Sequence, residues 1–129
     1  MRLILVALLA LLVVPLLKAA PVAPPVRAEI DALLSTFQTS GCEFNRNGSW
    51  HTASEAKAHL LRKLEYLEGK NAVQSTEQFI ELGASTSSLS GQPYLVKCGN
   101  TALVESKKWL STQLKAIRSS GRAAASNPK

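Results

Sequence analysis

Residues 42–51 read CEFNRNGSWH. Cys42, Phe44 and Arg46 alternate with Glu43 and Asn45, the period of two that marks a short strand. Asn47-Gly48 follows, a pair in which both residues tolerate positive φ, so the chain is expected to turn sharply here. Immediately downstream, TASEAKAHLLRKLEYLEG (residues 52–69) changes period. Thr52 and Glu55 form a capping box, Ala53, Ala56, Leu60, Leu64 and Leu67 make an apolar helical stripe, and Gly69 supplies a stop. A strand, a tight turn and a capped helix in succession point to a mixed fold.

The flanking segments fit that reading. Upstream, Ile30, Leu33, Leu34 and Phe37 lie at i, i+3, i+4 and i+7, one face of a first helix that Gly41 can end. Downstream, Ser75 and Gln78 make a second capping box ahead of Phe79, Ile80 and Leu82, and Gly83 ends that helix early. STSSLSGQPYLVKCG (residues 85–99) is a polar turn leading into a strand over Tyr94–Cys98. A last helix is expected from about Val104 to Ile117, with Leu110, Leu114 and Ile117 inward. The expected class is α+β: four helices on an antiparallel sheet of two or three short strands.

The first residues carry a different signal. Arg2 precedes an unbroken apolar run from Leu3 to Val14. That run is shorter than the roughly 20 residues of a membrane-spanning helix and fits the apolar core of a secretory signal. The expected division is a signal and proline-rich leader over 1–28, cut near Ala19 or Ala28, a single domain over 29–118, and a basic tail without fixed structure over 119–129. The expected location is periplasmic or secreted; the alternative is an N-terminal anchor in the inner membrane. Export bears on Cys42 and Cys98, the only two cysteines. In an oxidising compartment such a pair is expected to bond, closing a long loop and adding about 4 kcal/mol in the chain-entropy model.

Charge is uneven. All nine acids lie between Glu29 and Glu105, where Arg46, Lys57, Arg62, Lys63, Lys70 and Lys97 oppose them. From Ser106 onward Lys107, Lys108, Lys115, Arg118, Arg122 and Lys129 meet no acid. The basic end could make weak contact with an anionic surface. Trp109 beside Lys107 and Lys108 is the sole pairing of aromatic and basic residues in the domain, too little for nucleic-acid binding.

Candidate chemistry centres on the opening stretch and the helix after it. His51, Glu55 and His59 stand at H-x3-E-x3-H, which is not an established metal spacing, and no cofactor motif occurs, so neither is expected. Ser85, Ser87, Ser88 and Ser90 lack a G-x-S-x-G elbow. A hydrolase built on His51 or His59 with a serine or glutamate remains an alternative, as does a structural envelope protein in which the motif is a folding device.

RNGSWHTASEAKAHLLRK (46–63) followed by STEQFIELGASTSSLSGQPYLVKC (75–98) resembles an uncharacterised family of small exported bacterial proteins, the YfeK-like group. The likeness runs from about Ile30 to Trp109 and implies an exported bacterial protein without an assigned activity. Glu55 is a matched position and a further candidate; in the resembling pattern Arg46, Asn47, His51 and His59 recur on one side and Ser87, Ser88 and Tyr94 on the other. If the disulfide holds the two strands together, these residues converge on one polar patch. The expected function is binding of an envelope component, a peptide or a protein, with Arg46 as the contact to a carboxylate or other anion.

Overall fold

The Asn47-Gly48 turn sits where its composition places it. In a computed structural model describing residues 21–125, β1 (Glu43–Arg46) and β2 (Ser49–His51) form a hairpin in which Arg46 faces Ser49 across the two turn residues. Asn47 has φ 52° and Gly48 φ 83°, both positive as a type I′ turn requires. The Asn45 side chain accepts a hydrogen bond from Gly48 N at 3.1 Å and fixes the turn from within.

On its other side β1 pairs antiparallel with β3 (Leu95–Lys97), and β3 with β4 (Val104–Glu105), giving the order β2-β1-β3-β4. The sheet thus has four short strands against the two or three expected. Cys42 and Cys98 are bonded, with Cα atoms 4.2 Å apart and a sequence separation of 56. The bond continues the ladder one step beyond the Glu43–Lys97 pair, so β1 and β3 are joined covalently as well as by hydrogen bonds.

Among the described residues there are four helices, of which the second and fourth pack most directly on the sheet and the first and third pack on them. α1 (Pro24–Thr39) starts ahead of Glu29, the expected domain boundary, because Pro24 and Pro25 suit the first helical turn: φ is preset and the missing N–H has no partner to lose. Val22 is buried and Val26 packs against the core, so part of the expected leader belongs to the folded unit. Residues 1–20, with the apolar run and the cleavage position near Ala19, lie outside the described residues. α2 (Ala53–Glu68) is capped by Thr52, whose hydroxyl accepts from Glu55 N at 3.2 Å, and α3 (Thr76–Gly83) by Ser75, which accepts from Gln78 N at 3.1 Å.

The last helix departs from expectation at both ends. Val104 and Glu105 pair with Val96 and Leu95 as β4, so α4 (Ser106–Ala125) begins later; β-branched Val104 suits a ladder better than a first helical turn. At the far end the helix runs through residues 119–125, expected to be unstructured. Three alanines in succession, the strongest helix formers, favour that extension.

The core lies between α1, α2, α3 and α4 and the inner face of the sheet, where Phe44 and Val96 are both 1% exposed. Phe37 meets Phe44 and Trp109 edge-on at 6.0 and 5.3 Å between ring centres, and Phe44 lies 4.9 Å from Tyr94. Such aromatic pairs add about 0.5–1.5 kcal/mol each beyond area burial. Side chains alternate along β1, so Arg46 shares the inner face with Phe44. The apolar core stops at Phe44 and Tyr94; Arg46 is the next inward position and begins a polar region.

Candidate functional site

Arg46 meets α2 through its side chain. Its Nη1 lies 2.7 Å from His59 Nδ1 and 3.3 Å from Nε2. A guanidinium offers only donors, so Nδ1 accepts and the ring proton sits on Nε2. Nε2 lies 3.2 Å from Tyr94 Oη, to which that proton is donated. Lys63 Nζ also donates to Tyr94 Oη, at 3.1 Å, and to Thr86 O at 3.1 Å, while standing 5.0 Å above the Tyr94 ring. The Tyr94 oxygen therefore receives two donors, and its own proton remains to be given elsewhere. Tyr94 is 1% exposed, so this hydroxyl is held in place by the core beneath it.

The electrostatics follow from that packing. Burial, and then the charges of Arg46, Lys63, Arg62 and the neighbouring His51, push the His59 pKa down from 6.5 to about 4. The ring is neutral at pH 7 and serves Arg46 as an acceptor. Arg46, Arg62 and Lys63 form no ion pair with a carboxylate among the described residues.

Around this cluster opens a cleft of about 650 Å³ between the β1–β2 hairpin, α2 and the loop before β3. Arg46, Asn47, His51, His59, Ser87, Ser88 and Tyr94 all line it. The sequence reading brought together seven side chains that do meet. Glu55 is the exception. It lines an adjoining cleft of about 310 Å³, and its Oε2 lies 3.3 Å from His51 Nδ1 while Thr52 Oγ1 donates to its Oε1. Its contribution is to cap α2 and hold His51.

The loop is built to stay put. Ser87 Oγ accepts from Leu89 N at 3.3 Å and Ser90 N at 3.4 Å, and Ser87 N donates to Gln92 O at 2.9 Å. Ser90 Oγ donates to Asn47 Oδ1 at 2.5 Å, tying the loop to the hairpin turn. Ser87 and Asn47 thus act first as architecture, and Ser88 and Leu89 are carried to the cleft wall. Among the described residues no serine hydroxyl bonds to a histidine, so a nucleophile and base are not paired, and no group of three His, Cys, Asp or Glu comes together as a metal site would need.

Arg62, Lys63, Tyr66 and Leu89 also line the cleft, and the sequence reading did not single them out. A signal was present: His59, Arg62, Lys63 and Tyr66 stand at i, i+3, i+4 and i+7, a second stripe of α2 beside the apolar one. Read for polar rather than apolar periodicity, it names the helical wall of the cleft.

Comparison with known proteins places this architecture. The chain is 41% identical over 68 residues to the uncharacterized protein YfeK of Salmonella typhimurium, a match covering 52% of this chain and 55% of that protein, so it spans about half the length of this relative. No solved structure matches. The model of a family of unknown function, DUF5329, matches residues 24–118, from the first residue of α1 through most of α4. That span takes in both strands and the helix that build the cleft, in agreement with the resemblance seen in residues 46–63 and 75–98, and the chain belongs to the DUF5329 family.

Proposed function

We propose that the protein is a small exported binding protein whose cleft between the β1–β2 hairpin and α2 recognises an anionic group on an envelope component, a peptide or a partner protein. The observation that carries this reading is the charge imbalance of the cleft. Arg46, Arg62 and Lys63 converge there and, among the described residues, no carboxylate lines it; Glu55 lines the adjoining cleft. Gathering like charges costs Coulomb energy that a bound anion would return. The donors are also prepared: Arg46 retains free guanidinium N–H groups, Lys63 a third N–H, and Tyr94 its hydroxyl proton. The Cys42–Cys98 bond and the apolar run Leu3–Val14 support export.

His59 reports on the cleft. A bound anion offsets the cations that depress its pKa, so acetate, sulfate or phosphate should move the imidazole titration upward from about 4. Ring-proton NMR over pH 3–8, with each anion against chloride at equal ionic strength, tests this. A titration indifferent to all three anions sinks the reading.

A further inference from the structure

We infer that the anionic group is a phosphate monoester carried on an apolar body. The inference rests on the anion-binding reading above and names the ligand class. Charge comes first. With His59 neutral, three cations face the cleft: Arg46 from β1, and Arg62 and Lys63 from α2. A carboxylate would leave two of those charges unmatched, whereas a doubly ionised phosphate leaves one.

Geometry agrees with charge. The free donors belong to three side chains on three different segments: the Arg46 fork from the strand, Lys63 Nζ from the helix, and the Tyr94 hydroxyl from the residue before β3. Lys63 and Tyr94 are joined at 3.1 Å, and His59 bridges Tyr94 at 3.2 Å to Arg46 at 2.7 Å, so their spacing is fixed. Three donor side chains held on separate segments can each serve one of the three terminal oxygens of a tetrahedral group. A carboxylate presents two oxygens in one plane.

The rim supplies the second half of the ligand. Leu89 is 95% exposed and Tyr66 63% exposed, and both line the cleft together with the cations. Leu89 stands at the tip of the loop that Ser87 closes and Ser90 ties to Asn47, so an apolar side chain is held out over the mouth by hydrogen bonds on either side of it. At about 650 Å³ the cleft is far larger than a phosphate group and lies in the range that holds whole small-molecule ligands. Cations and exposed apolar side chains lining one cleft fit an amphipathic phosphate.

Calorimetric titration of the protein at pH 7.5 with octyl phosphate, octanoate and inorganic phosphate separates the contributions. Octyl phosphate should bind on the order of tenfold or more tighter than either octanoate or inorganic phosphate, since each lacks one half of the recognised structure. Leu89→Ser should weaken octyl phosphate and leave inorganic phosphate unchanged; Arg62→Ala, at an exposed helix position, should weaken both. Equal affinities for octyl phosphate and octanoate would overturn the phosphate assignment while the anion reading stands. Equal affinities for octyl and inorganic phosphate would remove the apolar body. If none of the three binds and His59 titrates as in chloride, the inference and the anion reading fall together.

Discussion

Two arginines of this protein sit in opposite surroundings. Arg118 on α4 donates to Glu29 Oε2 at 3.1 Å and Oε1 at 2.8 Å, and to Glu77 on α3. Glu29 accepts in addition from the buried Thr76 hydroxyl at 2.5 Å. The network joins α1, α3 and α4 with one guanidinium between two carboxylates, so each charge in it meets one of opposite sign. Arg46 on β1 meets a neutral imidazole instead, with Arg62 and Lys63 as neighbours and, among the described residues, no carboxylate on the cleft wall. Both regions shift ionisation, for different reasons. The Arg118 bond holds the Glu29 carboxyl below the usual range; burial and surrounding cations hold His59 down. A matched network has satisfied itself within the fold. An unmatched one keeps its donors for something else.

The largest effect comes from cutting the tie that holds the unmatched region together. Arg46 stands on β1, Tyr94 immediately before β3, and the Cys42–Cys98 bond joins those strands. Replacing both cysteines by serine should lower unfolding stability by about 4 kcal/mol, read from urea melts. Hydrogen exchange should rise more in β1 and β3 than in the helical turns around Glu29 and Arg118. Uniform loosening would show that the bond supports the whole core equally.

Breaking the matched region comes next. Glu29→Ala removes the acceptor of the Thr76 hydroxyl, which is 1% exposed, and leaves Arg118 with Glu77 alone. A buried donor without a partner costs about 1–3 kcal/mol. The variant should melt earlier by that amount and bind anions in the cleft as the parent does. An unchanged melting curve would mean water replaces the carboxylate at Thr76 without loss.

How far these two regions were legible in sequence differs for a physical reason. The hairpin, the capped helices and the disulfide depend on local chemistry: Asn47-Gly48 sets a turn, Thr52 and Ser75 cap helices, and the two cysteines pair. These can be read from neighbours. The cleft was legible in part, because Arg46, His51 and His59 lie close in sequence, and Tyr94 joined them through the resemblance and the strand pairing. Arg62 and Lys63 were counted as charges but not assigned to the site, since surface basic residues on a helix usually mean a solvated face. The matched network was invisible: Glu29 and Arg118 are 89 residues apart, and periodicity carries no record of which distant charges meet. The start of α4 failed similarly, since Val104 and Glu105 continue a helical pattern until β3 is there to pair with them.

The pH dependence sharpens the comparison. His59 is a base whose folded pKa, about 4, lies below its unfolded value of 6.5. As pH falls, the unfolded chain takes up the proton first, so this contribution is fully present above about pH 6.5 and is lost between there and about pH 4. For a part-exposed ring screened by solvent the loss is about 1–2 kcal/mol. Glu29 is an acid with a lowered pKa, and its contribution is present above its unfolded value near 4.5 and lost as pH falls through the folded one. Urea melts at pH 7, 5.5 and 4 should show His59→Gln escaping the first loss and keeping the second. A variant that loses stability as the parent does between pH 7 and 5.5 would place the titrating group elsewhere.

The smallest effect on stability discriminates most sharply between the two arginine environments. Arg62 is exposed, has no ion-pair partner among the described residues, and lies among like charges. Arg62→Ala should therefore change stability by less than about 0.5 kcal/mol, and any change should be favourable at low salt, where repulsion is least screened. The same substitution removes one of the charges that depress His59, so the imidazole titration should move upward while the melting curve stays put. Salt should have a parallel effect on the parent, raising the His59 pKa as it screens Arg62, and a weaker one on the variant. A melting loss of several kcal/mol would mean that Arg62 is held by the fold, which would make the cleft a second matched network and leave the protein without spare cations to offer a ligand.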